Sequence, residues 1–122
     1  MDPYLGTFAV GDTLHAAKIG IRTDTGEPWG TFAGTGWTVE MEVRKAGAPD
    51  IVATVTGSWA TIAEEHALFV FGAEALLAPT ASATSADFEG LVVLTKLADV
   101  TKIGPDGDAR TPFKFTVREW NP

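Results

Sequence analysis

A chain of 122 residues, 45% hydrophobic and 20% charged, has the size and composition of one globular domain with its own core. Sixteen carboxylates against nine Lys and Arg give a net charge of -7, which argues against the counterion-driven binding of nucleic acid. The absence of cysteine excludes thiol catalysis, disulfide frameworks and Cys-based metal sites.

The first residues, Met1, Asp2, Pro3 and Tyr4, lack the basic start and apolar stretch of a secretory signal. No apolar run approaches the ~20 residues that span a bilayer, so the chain reads as soluble, with no membrane partner.

Residues 5–10 are short and apolar and stop at Gly11 and Asp12, so residues 1–12 read as an edge strand or docking arm. Ala17, Ile19 and Ile21 then alternate with Lys18, Gly20 and Arg22, predicting a strand that closes in a turn over Asp24, Thr25, Gly26, Glu27 and Pro28. The clearest element is residues 36–45, where Trp37, Val39, Met41 and Val43 alternate with Thr38, Glu40, Glu42 and Arg44, the period of a strand with one dry face. Ala46, Gly47, Ala48, Pro49 and Asp50 follow, so residues 51–56 are expected to return as the second arm of a hairpin.

Residues 59–62 and 68–71 form the next two β-prone segments, parted by Glu64, Glu65 and His66 in a polar loop. Leu68, Phe69, Val70 and Phe71 are apolar on both faces, which predicts that one face meets a partner chain. Residues 73–77 suit one helical turn stopped by Pro79, and residues 78–87, rich in Thr, Ala and Ser, read as a surface loop. A strand over 91–97 precedes a last hairpin over 100–117, with its tip at Gly104, Pro105, Asp106 and Gly107. Seven or eight short strands with frequent turn signals predict a single all-β domain over 1–122, an antiparallel immunoglobulin-like β-sandwich.

Chemistry is sparse against that scaffold. His15 and His66 are the only imidazoles, and Ser58 does not sit in a Gly-x-Ser-x-Gly elbow, so no catalytic residue is assigned and no enzyme is expected. Glu40 and Glu42 share a strand face, but alternate glutamates there read as its solvated side before they read as a glycosidase pair. Asp106, Gly107 and Asp108 lack the further acidic ligands of a calcium loop, and Gly30, Gly34 and Gly36 lack the Lys-Ser or Lys-Thr of a phosphate loop. No metal and no cofactor is expected.

The tryptophans carry more. Trp37 is in phase with the core, whereas Trp29, beside Pro28, and Trp120, near residue 122, are the surface candidates. The candidate interface is therefore Trp29, Leu68, Phe69, Val70, Phe71 and Trp120.

The order of pieces also resembles a known family. Val10, Gly11, Asp12 and Thr13 enter a strand; Asp24, Thr25, Gly26, Glu27, Pro28 and Trp29 form a D-x-G-x-P turn; and residues 34–44 supply the next strand. Later, Phe88, Glu89, Gly90 and Leu91 open a strand with an aromatic residue and a glycine. This arrangement, spread over most of the chain, resembles the immunoglobulin-like attachment domains at the start of tailed-phage baseplate upper proteins and related tail or head fibre proteins. The resemblance implies a non-enzymatic virion module that docks on capsid, portal or tail proteins, as a homo-oligomer or in several symmetric copies. Members of that family continue into a fibre or receptor-binding region, which implies here a capsid decoration, adaptor or fibre anchor. The reading from another class is a carbohydrate-binding β-sandwich that stacks sugars on Trp29, Trp59 or Trp120. A small β-sandwich hydrolase using His15 or His66 ranks third.

Overall fold

The computed structural model describes residues 4–9, 15–71 and 85–118. These are all-β: β1 (Tyr4–Ala9), β2 (His15–Gly20), β3 (Thr38–Lys45), β4 (Ile51–Thr61), β5 (His66–Phe71), β6 (Ser85–Lys96), β7 (Asp99–Ile103) and β8 (Phe113–Arg118). The strand order is β1-β8-β6-β3-β4-β5-β2, with β7 also paired to β6. Every pairing is antiparallel except that of β1 with β8, which is parallel. The helical turn expected over 73–77 and residues 78–84 of the loop expected over 78–87 lie outside the described residues. Residues 85–87 of that loop are corrected to strand: β6 begins at Ser85, ahead of the strand expected over 91–97, because Ser85 to Gly90 pair with β8.

β3 forms where the alternation is cleanest. Val39, Met41 and Val43 are buried, while Thr38, Glu40, Glu42 and Arg44 face outward. Trp37 stands just ahead of the strand and packs, half-buried, against the core. β3 and β4 make the expected hairpin across residues 46–50, with a register shift at Val43 and Arg44.

β4 corrects the expectation of two separate strands on either side of Gly57. It is one strand that pairs with β3 through Thr56 and with β5 from Gly57 onward. The glycine is a passage rather than a turn, because a Cβ there would lie 2.7 Å from a ring carbon of Phe69 and 3.1 Å from Val39. By changing partners, β4 joins two sections of sheet whose inner faces supply one hydrophobic cluster, from Ala17, Ile19 and Phe69 to Phe88, Phe113 and Phe115. Sections facing one core in this way are consistent with a β-sandwich.

The expected hairpin over 100–117 is also corrected. β7 and β8 do not pair with each other; both lie antiparallel to β6, β7 along its second half and β8 along its first. They follow one another along the same side of β6, separated by residues 104–112, so the hairpin partner of β7 is β6, turned over Leu97 and Ala98. The 104–112 loop is pinched at its neck, where Gly104 donates to the Asp108 carbonyl at 2.6 Å, and Gly107 packs on the backbone of Thr23 and Asp24.

Candidate functional site

Residues 21–37, 62–65 and 97–98 all emerge at one end of the sheet, where β2, β4 and β6 finish and β3, β5 and β7 begin. The long loop begins with the predicted turn: Thr23 donates to the Glu27 carbonyl at 2.8 Å, and Arg22 and Pro28 form an isolated bridge. It is then tied down by Glu65, the one buried charged residue among those described, at 2% exposure. One carboxylate oxygen accepts the N–H of Gly30 at 2.7 Å; the other accepts those of Phe32 at 2.6 Å and Ala33 at 3.0 Å. A buried carboxylate needs such donors to offset its lost hydration, so the loop backbone and Glu65 satisfy each other.

Phe32 is thereby held in the core, edge-on to Trp37 at 5.1 Å, and Trp29 stands edge-on to Phe32 at 6.0 Å. Trp29 itself is 41% exposed. At the same end, Ile62, 59% exposed, lies across Gly34, and Leu97, 95% exposed, caps the β6–β7 tip. Leu97 has φ of 55°, a left-handed conformation that is unusual for leucine. Three large apolar side chains are thus exposed on loops at one end of the sheet, one on a rigidly held backbone and one in a strained turn.

The sequence pointed to Trp29 but not to its neighbours. Glu65 looked like any loop carboxylate, and Leu97 like the last residue of a strand. The available signal was the apolar residue lodged in a two-residue gap between strands.

The other predicted interface residues separate. Phe69 is fully buried and packs in the core beside Gly57, which corrects its assignment to an interface. The cause is the strand period: Ala67 and Phe69 face in, Leu68 is half-buried on the outer face, and Val70 is 50% exposed there. The side chain of Phe71 and all of Trp120 lie outside the described residues, as does the side chain of His15.

A second feature lies where β4 leaves β3. The strands splay beyond Glu40 and Thr56, and a groove of about 390 Å³ opens between Trp37, Thr38, Glu40, Thr56, Ser58 and Trp59. Trp59 Nε1 donates to the Trp37 carbonyl at 3.0 Å, closing the gap with a side chain where the ladder has ended.

The remaining candidates are engaged locally. His66 Nε2 lies 3.2 Å from an Arg22 guanidinium nitrogen, so it accepts there, and the same arginine donates to the Glu64 carbonyl. Glu42 is paired with Lys102 at 3.0 Å and Arg44 at 3.7 Å. Ser58 is exposed on β4, and Gly30, Gly34 and Gly36 all take positive φ within the loop. Asp108 receives the Arg110 backbone N–H and guanidinium, which hold its carboxyl below the usual value. Among the described residues no group of three or more His, Asp or Glu converges as a metal site would require.

No protein-family model and no curated protein matches the chain.

Proposed function

We propose that this protein is a non-enzymatic structural module of a tailed-phage particle, which docks on head or tail proteins through the apolar loop end. The observation that carries the proposal is the exposure of Trp29, Ile62 and Leu97 on loops at one end of the sheet, Trp29 on a loop immobilised by Glu65. A preordered aromatic anchor loses little entropy on binding, and central apolar anchors dominate protein interfaces. Exposed Asp24, Glu27 and Glu64 belong to the same loops, so the complementary surface is apolar with a basic rim. Strand adjacency supports the immunoglobulin-like resemblance: β2-β5-β4 and β3-β6-β8 are the neighbour sets B-E-D and C-F-G of that sandwich.

Quantitative mass spectrometry of purified particles from the source culture tests the proposal. Presence at a fixed ratio to the major shell protein is expected: near-stoichiometric for a capsid decoration, a few per cent for a tail or portal component. Absence from the particles overturns it.

A second reading, a carbohydrate-binding module, is favoured by the groove between Trp37 and Trp59, where aromatic rings neighbour the hydroxyls of Thr38, Thr56 and Ser58 and the carboxylate of Glu40. A saturable change in tryptophan fluorescence on titration with soluble oligosaccharides, lost in Trp59→Ala, is its expected signature; a flat titration removes it.

A further inference from the structure

The strand β2 stands at one end of the strand order and pairs with β5 over six consecutive residues without a register shift. Among the described residues nothing pairs with its other side. The backbone groups facing that open side follow from the ladder. Ile21 donates to the Glu65 carbonyl, in register with the Gly20–His66 pair, so the alternation turns the N–H and C=O of Ala17 and Ile19 toward β5. Those of Ala16, Lys18 and Gly20 point outward; Ala16 and Lys18 are exposed and offer their donors and acceptors to another strand, whereas Gly20 is buried under the Arg22 guanidinium.

From this we infer that β2 is a homodimerisation edge, joining antiparallel to β2 of a second copy about a two-fold axis at Ala17. The inference rests on the multi-copy docking module proposed above and gives it a self-contact. Three properties of the edge favour a second copy as the occupant. First, an antiparallel strand edge is its own complement under two-fold symmetry, and pairing it closes the assembly instead of growing a filament. Second, β2 and β5 contain no carboxylate, in a chain of net charge -7, so no facing pair of acidic side chains opposes a second copy at this edge. Third, the side chains permit a specific register. With Ala17 on the axis, Ala16 of each copy exchanges backbone hydrogen bonds with Lys18 of the other, whereas an axis at Lys18 would set two lysines directly opposite. In the favoured register the Lys18 stem crosses the other copy's Ala16, whose cross-strand neighbour is the exposed Val70. The aliphatic stem then covers apolar surface while its ammonium reaches water. β1, at the other end of the order, has a register shift, and β7 is one residue shorter than β2.

Sedimentation velocity of the purified full chain, from about 10 µM to about 1 mM, tests the inference across the range of weak edge-to-edge association. A monomer–dimer equilibrium is expected, weakened at least tenfold in Ala16→Pro, which deletes an outward N–H and leaves the donors to β5 in place. Because the chain has no cysteine, the pairing can also be read without relying on that variant. Ala16→Cys mixed with Lys18→Cys should oxidise to the mixed dimer in preference to either homodimer. A monomer at every concentration, a dimer that Ala16→Pro leaves unchanged while its melting is native, or Lys18→Cys linking to itself as readily as to Ala16→Cys overturns the inference. A monomer would do so while leaving the chain's presence in particles untouched, so the two failures are distinguishable.

Discussion

Glu65 and Phe32 are joined by a 2.6 Å hydrogen bond in which the Phe32 N–H donates to a carboxylate oxygen buried beneath the loop. Through it, a residue of the β4–β5 turn fixes the entry of an aromatic side chain from a different loop into the core, and Trp29 stands on that aromatic ring. Replacing Glu65 by Gln keeps the volume but turns an amide NH₂ toward backbone donors. Hydrogen bonds to charged groups contribute about 1.5–3 kcal/mol, so Glu65→Gln is expected to lower stability by about 2 kcal/mol in urea denaturation and to shift the Trp29 emission. A loss below about 0.5 kcal/mol would mean the loop holds itself.

Gly57 is expected to resist alanine. The added Cβ would press against the Phe69 ring at 2.7 Å, with Val39 at 3.1 Å behind it, so neither the strand nor the ring can yield freely. Overpacking of this kind costs about 1–3 kcal/mol. The control is Gly26→Ala, which has open space within 4 Å but φ of 86°. Its cost is conformational, and double mutation with Phe69→Leu should rescue Gly57→Ala alone.

Leu97 offers a separation of stability from function. A positive φ at the first of two tip residues is the pattern of a type II′ turn, where glycine is the usual occupant. Leu97→Gly should therefore leave the isolated protein as stable or raise its stability by up to about 1 kcal/mol. Under the docking proposal the same variant should be depleted from particles. A destabilised Leu97→Gly with undiminished incorporation would contradict both statements.

Asp108 supplies a pH signature. Its carboxyl is held below the ordinary value, first by the Arg110 backbone N–H and then by the guanidinium. A depressed folded pKa stabilises the folded state above the unfolded carboxylate value, and this contribution fades as pH falls through the folded value. NMR titration of the carboxyl carbon should place Asp108 below the ordinary aspartate value. Arg110→Ala should raise it only partway, because the backbone donor remains. Full return to the ordinary value would assign the whole shift to the side chain.

What the sequence made legible was whatever its period of two could report. β3 and the closing strand β8 alternate cleanly, since one face of each is buried and the other solvated, and β4 alternates more weakly around the buried Val55. Partner choice was less visible. Gly57 carries the composition of a turn, yet its missing side chain makes room for Phe69 inside a continuous strand. Gly104, Pro105 and Gly107 mark a real turn, but the chain resumes its direction after it, because β7 and β8 both run antiparallel to β6, so the turn opens an excursion between them and is not a hairpin tip. Glu65 was illegible for a different reason: its role depends on three backbone amides more than thirty residues earlier, and amides leave no trace in residue type.

The parallel pairing of β1 with β8 has a mechanical consequence. A chain entering at Tyr4 and leaving at Arg118 is pulled in opposite directions along two adjacent strands, so tension loads their hydrogen bonds together, in shear, instead of opening them one at a time. Force applied through these two points should meet a higher rupture peak in single-molecule pulling than force applied across the β6–β7 hairpin, which unzips pair by pair from Val92 and Ile103 toward the turn at Leu97. A module strung between neighbours by its ends would thus resist extension at the strand pair where the chain enters and leaves.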